Sequence, residues 1–268
     1  PYLMQTDDYY AMLASLPEVQ RKQFLEGNWE AYEDSSFPEF SKDIHVIKPF
    51  DIPRNWMRFR ACDWGYSSPA CCLWLAVDFD NNIFVYRELY TQRVTADLFA
   101  RKVLEAEQGE YIRYGVLDSS TWARRGDIGP SIAETMILEG CRWRPSDRSP
   151  RSRIAGKLEL HKRLRPDEDT GYPSLFILDN CVNLIRTLPM LPVDKNNPED
   201  VNTHAEDHAY DALRYGCMSR PIHPIKQDFM DKVNETKEHL QIVCLDINEI
   251  TKVCNSRTFY NTISLCTP

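Results

Sequence analysis

"MRFRACDWGYSSPACCLWLAVDFDNNIFVYRELY", residues 57–90, decides how the chain is read. Its first seven residues alternate and read as a strand that stops on Asp63. Gly65 and the Ser-Ser-Pro after it mark a turn. CCLWLAVD (71–78) and IFVYRELY (83–90) are two further strands, and the FDNN between them is a hairpin signal. The stretch therefore predicts a three-stranded meander whose first strand ends in a carboxylate. An Asp before Gly is ordinarily turn chemistry. Asp63 becomes informative only if other carboxylates gather beside it.

Working outward, TADLFARKVLEAEQ (95–108) is an amphipathic helix with Thr95 as N-cap, and IRYGVLD (112–118) is a fourth strand, ending on Asp118. A helix around 128–139, a short strand in CRWRP, a basic helix at 152–164, the strand LFIL (175–178) and a helix starting in NCVNLIRTLPM follow. THAEDHAYDALRYGCM (203–218) is a final helix, opening on a capping box of Thr203 and Glu206. This order predicts an α/β fold, a mixed sheet flanked by helices. Upstream, residues 8–32 read as helical with a break at Pro17 and a C-cap at Gly27-Asn28, and 33–56 as a connecting segment. The expected organisation is a linker or helical segment over 1–45, a main domain over 46–220, and an unassigned tail over 221–268.

The 268 residues, 43% hydrophobic, suffice for one sizeable core plus appendages. No run of apolar residues is long enough to predict a membrane span. The start lacks the basic and apolar regions of a signal peptide, and it lacks an initiator Met, which reads as a fragment or a processed chain. The nine cysteines are scattered and form no CxxC pair, so reduced, mostly buried thiols are expected rather than disulfides or zinc knuckles, with Cys71-Cys72 in the core. The net charge is −8, yet residues 142–165 hold nine Lys/Arg against two Asp/Glu. Attraction depends on charges within a Debye length of about 8–10 Å, so a basic strip on an acidic protein can still hold a phosphate backbone. Arg142, Arg144, Arg148, Arg151, Arg153 and Lys157 are the candidates for that contact, with Trp143 expected in the core.

If the strands ending on Asp63 and Asp118 are parallel neighbours, both carboxylates emerge at one sheet edge, where open α/β sheets bind ligands. The last helix adds Asp207 and Asp211, one turn apart, and His208, three residues before Asp211. Its small residues Ala209, Ala212 and Gly216 allow a close approach to another element. Carboxylates gathered this way need cations, and oxygen donors suit Mg²⁺ or Mn²⁺. Two such ions about 3.5–4 Å apart can stabilise the attacking and leaving oxygens of an in-line phosphodiester displacement. Taken singly, the acids have plain structural readings: turn chemistry at a strand end for Asp63, and a solvated face with Arg214 pairs for the helix. Glu88 reads as a cross-strand partner, and His161 as a surface residue.

The combination resembles the C-terminal, RNase H-like nuclease domain of the large terminase subunit of tailed bacteriophages. LPEVQRKQFLEGNWE (16–30) resembles the segment that follows that family's ATPase domain. RACDWGYSSPA resembles its first strand with the first metal-binding Asp, YGVLDSS the strand with the second, 55 residues later, and EDHAYDALRY the last helix. The resemblance spans roughly residues 8–219. It implies a metal-dependent endonuclease that cuts concatemeric viral DNA during packaging. It also implies two Mg²⁺ or Mn²⁺ ions held by Asp63, Asp118 and an acid of the last helix, Asp211 first and Asp207 next, with His208 as ligand or water-positioning group. The implied partners are double-stranded DNA, the terminase ATPase domain, the small subunit and the portal; the implied setting is the cytoplasm of an infected bacterium. No GxxxxGK[ST] occurs in the chain, so it carries no ATP-driven motor motif. The rival readings are another RNase H-like nuclease, a junction resolvase or a recombinase, and a non-catalytic packaging-assembly module that docks through the acidic N-terminal segment.

Overall fold

Eight consecutive apolar residues, Ala70–Val77, form a strand buried along its whole length, and the rest of the domain is layered on either side of it. Such an unbroken run is what a strand covered on both faces requires. The computed structural model describes residues 35–124, 129–168 and 170–220. The helix expected over 8–32 and the tail over 221–268 lie outside the described residues.

The elements, in order, are α1 (Lys42–His45), β1 (Val46–Ile47), β2 (Met57–Asp63), β3 (Ala70–Val77), β4 (Ile83–Thr91) and α2 (Ala96–Glu107). There follow β5 (Gly115–Leu117), α3 (Ile132–Leu138), β6 (Arg144–Pro145), α4 (Ser152–Leu164), β7 (Leu175–Leu178), α5 (Val182–Thr187) and α6 (His208–Met218). They build a seven-stranded sheet in the order β1-β7-β4-β3-β2-β5-β6. The meander β2-β3-β4 is antiparallel, and β5 joins β2, β6 joins β5, and β7 joins β4 and β1 in parallel. This is the mixed α/β, RNase H-like sheet flanked by helices that the sequence predicts. Edge strand β1 is not foreseen there. It sits in the segment read as a connector, and two residues carry no periodicity to detect.

The side-chain alternation of β2 and β3 separates two cores. Phe59, Ala61, Cys71, Leu73 and Leu75 pack with α4 and α6 on one face, while Cys62, Cys72, Trp74 and Ala76 pack with α2 and α3 on the other. The six described cysteines are free and buried, as expected. On the second face Arg60 is buried against Glu107 of α2, and Trp74 donates to the same carboxylate at 3.1 Å. On the first face Phe37 and Phe40, upstream of β1, lie in the core. Among the described residues no helix is long and apolar enough to cross a membrane.

The glycines of α6 and α4 answer the expected close approach. A side chain at Gly216 would press on Leu75 and Ala61 at 3.0–3.3 Å. One at Gly156 of α4 would lie 2.7 Å from Arg214 Cδ of α6. The two helices thus meet backbone against side chain, directly behind the end of β2.

Glu39 ties the upstream segment to α4, accepting from His161 Nδ1 at 3.0 Å and from Arg165 Nε at 3.2 Å. His161 is thereby half-buried rather than a plain surface residue. Burial works to raise the Glu39 carboxyl, but the His161 hydrogen bond and further donors bring it from 4.5 to about 2. A carboxylate depressed in the folded state contributes stability above its unfolded pKa, and that stability is lost as pH falls toward the folded value. Glu39→Gln should therefore lower stability by about 1.5 kcal/mol at neutral pH. It should also flatten the loss of stability between pH 4.5 and 2, read from urea unfolding at stepped pH.

Candidate functional site

The last register pair of β2 and β5 is Cys62 with Leu117. One residue on, Asp118 N–H donates to the Cys62 carbonyl at 3.0 Å. Asp63 and Asp118 therefore leave the sheet side by side at its carboxyl edge, as parallel neighbours must. The turn after Asp63 needs glycine, because a Cβ at Gly65 would lie 2.8 Å from the carbonyls of Ser68 and Pro69. Asp118 also caps the 3₁₀ turn Ser119–Trp122, its Oδ1 accepting from Ser120 N at 3.1 Å.

Helix α6 begins over this edge. The structure corrects its expected start. Asp207 is the N-cap residue, and Thr203 lies in the turns before the helix. Glu206 is no capping-box partner. It is held bidentately by Arg186 at 2.6 and 2.8 Å and accepts from Tyr90 at 2.7 Å. His208 Nδ1 hydrogen-bonds Asp63 Oδ2 at 3.0 Å, joining the helix to the first strand. Asp211 accepts from Arg214 Nε at 3.0 Å and from Arg153 Nη1 of α4 at 3.1 and 3.3 Å. Arg153 also donates to Asp200 at 2.9 Å and stands 3.8 Å from Asp207.

The protonation equilibria record this crowding. Burial raises the Asp63 carboxyl; the charges of Asp211 and Asp118 add to that, and the His208 hydrogen bond opposes it. Burial and then the Asp211 charge push Asp207 up to about 7, against the pull of His208 and Arg153. His208 is raised, chiefly by its hydrogen bond to Asp63. Asp63 thus lies within range of Asp118, Asp207 and Asp211, and Asp200 joins this group through Arg153; Arg153, Arg214 and His208 counter the charge. The donors are of the oxygen type that hard divalent ions take. Among the described residues, however, no three His, Cys, Asp or Glu side chains are grouped so as to hold a metal ion. Three of the acids, Asp200, Asp207 and Asp211, face the Arg153 guanidinium, and Asp63 is engaged by His208.

No protein-family model and no curated protein matches the sequence. Solved structures do match. The P22 large terminase nuclease domain superimposes with a TM-score of 0.56 at 16% identity, over 69% of this chain and 92% of that one. The large terminase of a thermophilic bacteriophage gives 0.55 at 15% identity, over 82% of this chain and 53% of that one, so the chain spans about half its length. The large terminase nuclease of the thermophilic phage G20c, with bound cobalt, gives 0.50 at 13% identity over 70% and 98%. The chain has the fold of a phage large-terminase nuclease domain.

On this terminase-nuclease fold the six basic candidates divide. Arg142, Arg144, Arg148 and Arg151 are exposed, Arg144 lying over Tyr114 with its guanidinium 3.8 Å from the ring centroid. Arg153 turns toward the acids, and Lys157 is buried, donating to the carbonyls of Pro198 and Asp200 at 3.2 Å. Trp143 is buried under Arg60, as expected. Asp200 escapes the sequence reading, since the loop before α6 has no periodicity that would aim it at α4. Glu88 is no cross-strand partner: it accepts from the Asn183 and Leu184 N–H groups at 3.0 and 2.7 Å, anchoring the start of α5.

Arg214, 4% exposed, balances Asp211 from within its own helix. Arg214→Met would leave Asp211 with Arg153 alone. Removing one partner of a buried pair costs about 3–5 kcal/mol, and the remaining guanidinium sets the expected loss near the lower end, about 3 kcal/mol, in the free energy of urea unfolding.

Proposed function

We propose that the chain is a divalent-metal-dependent DNA endonuclease, the cutting domain of a phage DNA-packaging terminase. The observation that carries this reading is the meeting of Asp63 and Asp118, on adjacent parallel strand ends, with the acidic start of α6. The fold it sits on is the one seen in terminase nuclease domains, and the cobalt bound by the G20c domain supports a metal here too.

Asp63 and Asp118 would hold Mg²⁺ or Mn²⁺, two ions, with Asp211 as the first choice among helix acids and Asp207 the next. When bound, such ions polarise the scissile phosphate and make water nucleophilic near neutral pH. The protein's own share is positional. His208 fixes the direction of Asp63 by its 3.0 Å hydrogen bond and lies where a water could be oriented. The β2–β5 pairing fixes the spacing of the two strand-end acids. Burial of Asp207 and Asp211 keeps bulk water from screening their charge. Exposed Arg142, Arg144, Arg148 and Arg151 would grip phosphates of double-stranded DNA without reading bases, while Arg153 and Lys157 would need to leave their present partners first. In the assembled machine the ATPase domain, small subunit and portal would be its partners, in the cytoplasm of the infected host.

Asp63→Ala and Asp118→Ala should each bring Mn²⁺-dependent nicking of supercoiled plasmid to background while leaving the circular dichroism spectrum unchanged. A doubly substituted protein that still nicks at the wild-type rate would sink the assignment. DNA affinity should fall steeply with salt. Replacing Arg148 and Arg151 by Ala should reduce the log–log slope by about 0.9 for each phosphate that is no longer neutralised. A slope unchanged by both substitutions would place the DNA elsewhere.

A further inference from the structure

Arg153 sits where helix electrostatics disfavour it. It is the second residue of α4, whose first turn contains no acid to offset it. A cation there faces the positive end of the helix dipole. Its guanidinium instead reaches away from its own helix to three carboxylates, Asp200 at 2.9 Å, Asp211 at 3.1 Å and Asp207 at 3.8 Å. The close α4–α6 packing at Gly156 makes that reach possible.

The three carboxylates are held differently. Nε is committed to Asp200, outside α6, while Nη1 and Nη2 face the two α6 acids. Nη2 is buried and has no hydrogen-bond acceptor, since Asp207 is too far. A charged donor left unsatisfied is costly, and a phosphate oxygen is the kind of acceptor that a guanidinium takes in bidentate fashion. The Nε bond can persist while the two Nη groups change partner.

The geometry points to Arg153 as an internal counter-ion that competes with a divalent cation for Asp207 and Asp211 and yields to it when a DNA phosphate takes its guanidinium. This rests on the metal-dependent nuclease reading above and adds a rule to it: ion loading and DNA engagement assist each other. By linkage, DNA must raise ion affinity by the factor that the ion raises DNA affinity. Arg153 is a positioning residue here. It acts on the acids and not on the scissile bond.

The test is Mn²⁺ affinity of the full chain, by titration calorimetry without DNA. Arg153→Gln should bind Mn²⁺ about tenfold more tightly than wild type, within the usual range of coupling, and Arg153→Lys, which keeps the charge, should stay near wild type. A short phosphorothioate duplex, resistant to cutting, should tighten Mn²⁺ binding by wild type more than by Arg153→Gln, in which only the direct contact of ion and phosphate couples the two. If Arg153→Gln is unfolded or loosened without ion, the readout is melting, and Mn²⁺ should raise its Tm by more than it raises that of wild type. Wild type that binds Mn²⁺ while Arg153→Gln binds no more tightly, or gains no more in Tm, overturns the counter-ion and leaves the nuclease reading standing. If neither protein binds Mn²⁺, both fall.

Discussion

The parallel pairing of β2 with β5 is the constraint on which the rest of the site depends. Parallel strands share one carboxyl edge, and a register ending at Cys62 and Leu117 puts the next residue of each, Asp63 and Asp118, at that edge together. A slip of either strand by one residue would turn its own acid to the opposite face and part it from the other. The slip is resisted because Phe59 and Ala61 belong to one core and Arg60 and Cys62 to the other, where Arg60 is bound to Glu107. The position of the acids is thus guaranteed by apolar burial and one internal ion pair far behind them.

A second lock sets the height of α6 over that edge. Gly216 lets the helix settle on Leu75 and Ala61, and Gly156 lets α4 settle on Arg214. Arg214 is in turn bound to Asp211, so the packing of two helices fixes where an acid of the site can stand. The anchoring of α5 by Glu88 and of the loop before α6 by Glu206 with Arg186 and Tyr90 adds polar restraints on the same side of the sheet. Core packing and site geometry are one set of interactions here.

Much of this is legible in the sequence because it depends on period. The meander, the two strand-end acids and the acidic opening of the last helix follow from alternation, turn residues and 3.6-residue spacing. What the sequence misleads on depends on partners distant in the chain. Thr203 and Glu206 have the spacing of a capping box, but Arg186 and Tyr90 offer Glu206 stronger partners, and the helix starts four residues later than the box would place it. Glu88 looks like a cross-strand partner until α5 presents its unpaired N–H groups. The basic strip looks uniform because charge in sequence says nothing of direction. Gly156, read only as a helix residue, is what lets α4 come near enough for Arg153 to turn inward.

The ion pairs of the molecule separate into two kinds. Arg60 with Glu107 and Arg163 with Glu159 are buried pairs that roughly cancel, and each fastens one element to another or closes a turn of helix. The edge of the sheet is built otherwise. Its carboxylates outnumber the three side-chain cations that reach them, even with His208 counted as charged, and burial, with the Asp211 charge after it, holds the Asp207 proton up to about 7. A raised carboxyl weakens the folded state as pH climbs through that range. Nothing in the packing of the domain requires this loss, since Asn at position 207 would fit the same space without it. An excess of buried negative charge held by both apolar cores is a cost to folding, and it becomes intelligible where the charge is answered by something the chain binds.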